Sequence, residues 1–168
     1  DVSGFDQTLQ MHGLEKIDSV LIIGAGATAR AAVSSVSQFA KSISVISRNP
    51  EREAAMNRAS LVDVTYLPWK FTSQINTATL VINTTPNKAA DFFTSSIKSP
   101  SGTFFEVLYH PWPTSISKVW SEFSGPVIDG LDLLIHQAIS QIEIFADLRC
   151  DRELLLTKMR DAAVKKLA

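Results

Sequence analysis

A glycine-rich turn directly after a short apolar run constrains this chain more than any other feature of its sequence. Residues 19–24 form a β-branched apolar run that ends in Gly24, which is typical of a buried parallel strand. Gly24-Ala25-Gly26-Ala27-Thr28-Ala29 then matches the pattern G-x-G-x-x-A. In that pattern the first glycine permits a tight turn, the second lets the backbone approach a pyrophosphate, and the small sixth residue lets a helix pack on the strand. We therefore expect this turn and the following helix N-terminus to bind the pyrophosphate of a dinucleotide.

Strand and helix patterns alternate along the rest of the chain. The sequence predicts strands at 19–24, 42–48, 62–67, 79–83, 103–108 and 126–130. It predicts helices at 1–16, 27–40, from 49 onward with Asn49 as the cap, 114–123, 131–148 and 151–167. Such alternation is typical of a parallel sheet with right-handed crossovers. We expect an α/β fold of Rossmann type, doubly wound, with a mainly parallel sheet of about six strands and helices on both faces. No linker divides the chain, so residues 1–168 are expected to form one domain.

The composition excludes several classes of protein. The chain has 168 residues, of which 45% are hydrophobic and 20% charged, as in a globular domain. With 16 basic and 17 acidic residues it lacks the excess positive charge of a nucleic-acid binder. The single cysteine, Cys150, excludes an internal disulfide, and no run is long enough to cross a membrane. We expect a cytoplasmic protein with no nucleic-acid, membrane or metal partner. Because the chain begins at Asp1, we also expect it to be an excised piece of a longer chain.

The end of the second predicted strand indicates which dinucleotide the chain binds. In NAD-binding proteins of this fold, an acidic residue at this position hydrogen-bonds the ribose 2′-OH. Here the sequence is Ser47-Arg48-Asn49-Pro50-Glu51-Arg52, with no acid at the strand tip. Arg48 can lie over the adenine and bind a 2′-phosphate, and Arg52 can add a second charge. Ser47 and Asn49 can donate hydrogen bonds, so the pattern favours NADP; the alternative is a pair of solvated surface arginines beside Glu51.

Six segments match, in order and spacing, the sequence motifs of a single family. They are residues 1–5 (DVSGF), 24–30 (GAGATAR), 47–52 (SRNPER), 81–86 (VINTTP), 106–114 (EVLYHPWPT) and 129–138 (DGLDLLIHQA). On these segments the chain resembles the C-terminal, NADP-binding half of shikimate dehydrogenase over essentially its whole length. The resemblance implies hydride transfer between shikimate or 3-dehydroshikimate and NADP(H), a step of aromatic amino-acid biosynthesis.

The resemblance also implies roles for individual residues. Asp1 would act with a lysine on the hydroxyl proton of the substrate, and Tyr109 and Gln137 would contact the substrate. The implied cofactor contacts lie in the two nucleotide-binding loops, in the turn after the fourth strand and beside the nicotinamide: Gly24, Ala25, Gly26, Ala27, Thr28, Ala29, Ser47, Arg48, Asn49, Arg52, Asn83, Thr84, Thr85, Pro86, Leu108, Gly130 and Leu133.

The chain departs from the family motifs at several positions. Glu106 stands where the family has aspartate, and Asp132 stands where it has glycine. We expect Asp132 to point outward and to cap a helix that opens at Leu133. Residues 87–88 replace a glycine-bearing continuation, so a differently shaped loop is expected there. The three tryptophans are expected to pack rather than to bind: Trp69, Trp112 and Trp120.

The family's substrate domain, which carries the catalytic lysine and most substrate contacts, precedes the segment at which this chain starts. We expect that domain to be the partner of this chain, with shikimate or 3-dehydroshikimate bound between the two. Residues 1–16 and 131–168 are expected to form helices that link to it. The chain alone is expected to bind NADP but to turn over shikimate negligibly. A monomer and a homodimer are equally compatible with the sequence.

Three other functions stay open at this point. The first is a quinate-preferring or NAD-using member of the same family, since the substrate is chosen mostly by the other domain. The second is a non-catalytic NADP-binding module, which the departures at Glu106 and Asp132 favour. The third is another Rossmann oxidoreductase, such as a methylene-tetrahydrofolate dehydrogenase, which explains the phosphate loop but not the segments around Tyr109 and Gln137.

Overall fold

The sheet of the protein is fully parallel. The computed structural model describes residues 1–167, so Ala168 of the predicted domain lies outside the described residues. The strands are β1 (Ile17–Ile23), β2 (Ala40–Ser47), β3 (Val64–Pro68), β4 (Leu80–Asn83), β5 (Thr103–Glu106) and β6 (Val127–Ile128). They lie in the order β3-β2-β1-β4-β5-β6, and each neighbouring pair is parallel. This topology confirms the predicted Rossmann-type fold, with the strand order reversing between β1 and β4.

Helices and short turns connect the strands. The helices are α1 (Val2–Met11), α2 (Ala27–Val36), α3 (Glu53–Ala59), α4 (Gln74–Thr77), α5 (Ser115–Glu122), α6 (Gly130–Ala146) and α7 (Arg152–Leu167). Short stretches of 3-10 turn cover Pro50–Arg52 and Asp91–Ser96. Helix α4 and the second of these turns were not predicted, because neither carries a hydrophobic period long enough to recognise.

The structure corrects several predicted boundaries. Helix α2 ends at Val36 and not at 40, because Ala40 already pairs with Ile17 in the first register position of β2 against β1. Strand β6 covers two residues and not 126–130, because α6 begins at Gly130. Elsewhere the predicted ends differ from the observed ones by a few residues, as is usual where elements fray.

Both faces of the sheet are buried, which explains the uninterrupted apolar runs at 20–23 in β1 and at 80–82 in β4. Successive side chains of β1 point to opposite faces. Val20 and Ile22 join a core cluster with α1 and α2 on one face. Leu21 and Ile23 join a second cluster on the other face, where Phe93 and Trp120 pack. The fully buried Trp120 is therefore a packing residue, as the sequence predicts.

Candidate cofactor site

The glycine-rich loop leaves β1 at the point where the strand order reverses. Gly24 has φ +108°, and a Cβ atom there would lie 2.6 Å from Oγ1 of Thr84. Its N–H donates to the carbonyl of Ile46 at 2.9 Å, and the N–H of Thr84 donates to the carbonyl of Ile23 at 3.0 Å. The loop after β1 is thus bonded to the end of β2, and the loop after β4 to the end of β1, at the carboxyl edge of the sheet, where ligands bind in such folds.

The N-terminus of α2 faces this edge without a side-chain cap. Gly26 is the N-cap residue, and no side chain of the described residues caps the helix. The first N–H groups of the helix are therefore available to an anion, and the helix dipole favours negative charge at this end. Ala27, Thr28 and Ala29 form the first turn of this helix, and none of the three lines the cavity described below. Their role as cofactor contacts stays a prediction.

A cavity of about 430 Å³ lies over this loop. All but one of its lining residues were predicted as cofactor contacts: Gly24, Ala25, Gly26, Ser47, Arg48, Asn49, Arg52, Thr84, Thr85, Pro86 and Trp69. The glycine-rich loop, the end of β2 and the turn after β4 are thereby brought together as the sequence predicts.

Two arginines give the cavity a positive charge. Nη1 of Arg52 lies 3.5 Å from the carbonyl oxygen of Ala25, so its guanidinium reaches across to the phosphate loop. Among residues 1–167, neither Arg48 nor Arg52 forms a salt bridge. The backbone N–H of the neighbouring Glu51 donates a hydrogen bond to Oδ1 of Asn49 at 2.9 Å. Asn49 therefore caps the 3-10 turn, as predicted. Both guanidinium groups therefore keep donors free for an anion.

Trp69 is the residue of this cavity that the sequence analysis missed. It packs against the second core cluster, as predicted, but its half-buried ring also forms part of the cavity wall. It directly follows β3, whose last residue, Pro68, pairs with Ser47 of β2. An aromatic residue at the carboxyl end of the strand beside β2 is the signal that could have identified it.

A buried carboxylate holds the turn after β4 in place. Nδ2 of Asn83 donates to both carboxylate oxygens of Glu106, at 3.1 and 3.0 Å, and Oγ1 of Thr114 donates to one of them at 2.9 Å. Oδ1 of Asn83 accepts hydrogen bonds from the N–H and the hydroxyl of Thr85. Burial raises the pKa of Glu106, while the hydrogen bonds that it accepts oppose this shift. The predicted contact Asn83 is buried, so it supports the cavity wall from behind.

The residues predicted beside the nicotinamide separate into two groups. A Cβ atom on Gly130 would lie 2.0 Å from the carbonyl oxygen of Val107, so only glycine lets the start of α6 approach β5 this closely. The N–H of Gly130 faces the carbonyl of Leu108 at 3.4 Å, which places these two predicted contacts together. Leu133 instead is 3% exposed and belongs to the core, outside the cavity.

The predicted substrate residues lie on different elements. Asp1 is exposed at the N-cap of α1, where its backbone carbonyl accepts hydrogen bonds from the N–H groups of Gly4 and Phe5. Gln137 of α6 is half-buried and packs over Gly4. Tyr109 is 44% exposed and lines a second cavity of about 310 Å³, beside the start of α6 and the end of α7.

The prediction for Asp132 was wrong. Helix α6 begins at Gly130, and its cap is Asp129, whose Oδ1 accepts a hydrogen bond from the N–H of Leu131 at 3.0 Å. Asp132 is buried in the first turn, and its carboxylate binds Arg160 of α7 and lies 3.3 Å from Nε2 of His12. Because the capping position is already filled, the carboxylate of Asp132 turns to the arginine of α7.

Arg160 joins the two acidic residues at the start of α6. Its Nη2 lies 2.6 Å from Oδ2 of Asp129. Burial alone would raise the pKa of Asp129, but the hydrogen bonds and the positive charge of Arg160 hold it below its ordinary value. The hydrogen bond to Asp129 correspondingly raises the pKa of Arg160. The carboxylate that Asp132 adds to the family motif is thus held in an ion pair within the chain.

Two further observations concern other kinds of site. Within residues 1–167, no three side chains of His, Cys, Asp or Glu are grouped so that they could share a metal ion. None of the helices in the described part of the chain combines the length and the apolar character needed to cross a membrane.

The fold and the site together define a class: a Rossmann-type α/β protein whose glycine-rich loop opens a positively charged cavity at the topological switch point. No protein-family model matches the chain. The chain is, however, 30% identical over 181 residues to the NADP(+)-dependent shikimate dehydrogenase of Synechococcus sp. (strain JA-3-3Ab), a match that covers 100% of this chain and 60% of that protein.

Solved structures of the same group resemble it closely. Shikimate dehydrogenase from Mycobacterium tuberculosis matches with a TM-score of 0.81 and 26% identity, over 96% of this chain and 60% of that one. Quinate dehydrogenase from Corynebacterium glutamicum, in complex with NAD, matches with a TM-score of 0.82 and 25% identity, over 98% of this chain and 61% of that one. The protein is therefore a homologue of the shikimate dehydrogenases, which confirms the resemblance read from the sequence. It spans about 60% of the length of these relatives.

Proposed function

We propose that this chain is the NADP-binding half of a shikimate dehydrogenase. The observation that carries the proposal is the cavity itself, in which an uncapped helix N-terminus and two arginines without salt-bridge partners among the described residues meet at one sheet edge. Gly24 and Gly26 would hold the pyrophosphate through their backbone, and Arg48 and Arg52 would bind the 2′-phosphate. The last residue of β2 is Ser47, whereas NAD-binding proteins of this fold have an acidic residue at this position.

The residues of this chain would bind and orient the reactants of a hydride transfer. When bound, NADP supplies the hydride acceptor for the oxidation of shikimate to 3-dehydroshikimate. The Glu106–Asn83 network would fix the turn that supports the cofactor, and the contact of Gly130 with Leu108 would shape the wall beside the reacting ring. Asp1 would hold the substrate hydroxyl proton together with a lysine of the other half.

The other half of such an enzyme would dock on α1, α6 and α7. Gln137 lies on the side of α6 that faces α1, and Tyr109 opens into the cavity beside α7. The end of α6 exposes large apolar side chains, with Ile144 at 75% and Phe145 at 84% exposure. Exposed apolar groups of this size mark an interaction surface. The substrate would bind between the halves, so the chain alone would turn over shikimate negligibly.

The nucleotide preference is tested by removing the two arginines. Calorimetric titration of the single variants Arg48→Ala and Arg52→Ala should each show an affinity for NADP that is roughly 10- to 100-fold below that of the wild type. The reason is that a hydrogen bond to a charged group contributes about 1.5–3 kcal/mol. The affinity for NAD should fall less, by at most the about two- to fivefold effect of losing a contact between Arg48 and the adenine. Arg58→Ala is the matched control, because Arg58 is an exposed arginine of α3 outside the cavity. Equal losses for NADP and NAD, or an equal effect of the control, would contradict the assignment.

A quinate dehydrogenase that uses NAD is the second candidate, because one structural neighbour is such an enzyme in complex with NAD. Stronger binding of NAD than of NADP by the wild-type chain would favour it. The cytoplasmic location and the monomeric or homodimeric state stay predictions of the sequence, and light scattering of the purified chain tests the second of them.

A further inference from the structure

An arginine and a tryptophan pack together at the mouth of the cofactor cavity. The guanidinium carbon of Arg48 lies 5.0 Å from the centroid of the Trp69 ring. The two residues follow the ends of neighbouring parallel strands, in which Ser47 pairs with Pro68. Their contact is therefore built into the register of β2 against β3. At this distance the cation is attracted to the face of the indole ring.

The indole ring of Trp69 packs against two phenylalanine rings. Its centroid lies 5.7 Å from that of Phe92 and 5.5 Å from that of Phe93. Phe93 is fully buried in the second core cluster, so this aromatic group is anchored in the interior. Both phenylalanines come from the 3-10 turn Asp91–Ser96, which follows the departure from the family pattern at 87–88. Trp69 therefore offers Arg48 a fixed surface.

A fixed surface matters for an exposed arginine. An arginine side chain has about 2 kcal/mol of rotamer entropy, part of which is lost when it binds a ligand. Contact with an aromatic face restricts the side chain in advance, yet it uses none of the N–H donors of the guanidinium. A guanidinium held in this way at the cavity mouth is ready to bind a phosphate dianion.

We propose that Trp69 is a positioning residue that holds Arg48 at the cavity mouth and so strengthens the preference for the 2′-phosphate of NADP over the 2′-hydroxyl of NAD. The inference rests on the proposed function. It assigns to Trp69 an action through Arg48, and not a direct contact with the adenine.

The test compares the affinities of the chain for NADP and NAD by calorimetric titration. Trp69→Leu should weaken NADP binding by about two- to fivefold, the effect of losing one exposed cation–π contact. The same substitution should weaken NAD binding by less than twofold. Trp69→Phe should restore most of the NADP affinity, because a phenyl ring also accepts the cation. Phe71→Leu is the matched control: Phe71 is an exposed aromatic residue two positions away that does not line the cavity.

A double-mutant cycle separates the two ways in which Trp69 could act. In the Arg48→Ala background, Trp69→Leu should have no further effect on NADP. A further loss there, or equal losses for NADP and NAD, would show that the indole contacts the nucleotide directly and would overturn the inference. An unchanged NADP affinity in Trp69→Leu would overturn it as well. If the wild-type chain bound neither nucleotide, the proposed function would fail with it, whereas the other outcomes contradict the role of Trp69 alone.

Discussion

Removal of the Glu106 carboxylate should be among the most destabilising single changes near the candidate site. The carboxylate is fully buried and accepts hydrogen bonds from Asn83, Thr114 and the N–H of Leu108. Glu106→Ala leaves two buried side-chain donors and the half-buried N–H of Leu108 without their partner, and each buried donor costs about 1–3 kcal/mol. Water that enters the new cavity would replace part of the lost bonding. We therefore expect the free energy of unfolding to fall by about 3–5 kcal/mol, a large share of the 5–15 kcal/mol typical of a domain.

The pH dependence of stability gives a second, independent readout for the same residue. Because burial raises the pKa of Glu106 in the folded state, this group contributes stability below its ordinary pKa of about 4.3. That contribution is lost as the pH rises through the raised value. Glu106→Gln has a similar shape but no titrating proton. The stability of the wild type relative to Glu106→Gln should therefore decrease as the pH rises from about 4 towards neutral.

Urea unfolding followed by circular dichroism measures both effects. Glu122→Ala, a change at an exposed position of α5, is the control and should cost less than about 0.5 kcal/mol. A loss below about 1 kcal/mol in Glu106→Ala, with an unchanged denaturant slope, would refute the reasoning from buried donors. A difference between wild type and Glu106→Gln that does not vary with pH would refute the stated pKa shift.

Two further changes test the loop and the ion pairs. Gly24→Ala should weaken NADP binding and cost about 1–2 kcal/mol of stability, because its Cβ would lie 2.6 Å from Oγ1 of Thr84 at a φ of +108°; a variant with wild-type affinity and thermal midpoint would contradict this. Arg160→Ala should cost about 1–2 kcal/mol at neutral pH, less than a fully buried pair because the arginine side chain is 37% exposed. Since the pKa of Asp129 is lowered, that loss should fade as the pH falls through this pKa, and a loss that persists at acid pH would contradict the assignment.

The sequence predicts the glycine-rich loop well because the determining interactions are local. The six residues that follow β1 contain both the glycine that the turn requires and the small residue that α2 needs for packing. The alternation of apolar runs and helical periods likewise predicts the parallel sheet, since each run is long enough to recognise. The Asn49 cap was predicted for the same reason: a short side chain and the next N–H groups of the chain decide it.

The interactions that the sequence did not reveal connect distant segments. Asp132 and Arg160 are on different helices, and only the docking of α7 against α6 brings their charges together. Trp69 and Arg48 meet through the register of two strands, which no local pattern determines. Helix α4, with four residues, has too few positions to show a period of its own. Tertiary packing decides all three.

Calorimetric titration of the wild-type chain with NADP and with NAD is the decisive test of whether the cavity binds a nucleotide through its 2′-phosphate. We expect this chain to bind NADP and to bind NAD clearly more weakly, because the 2′-phosphate would offer Arg48 and Arg52 a negative charge that the 2′-hydroxyl of NAD lacks. Binding of NAD as tight as or tighter than that of NADP, or no binding of either nucleotide by the folded chain, would contradict it.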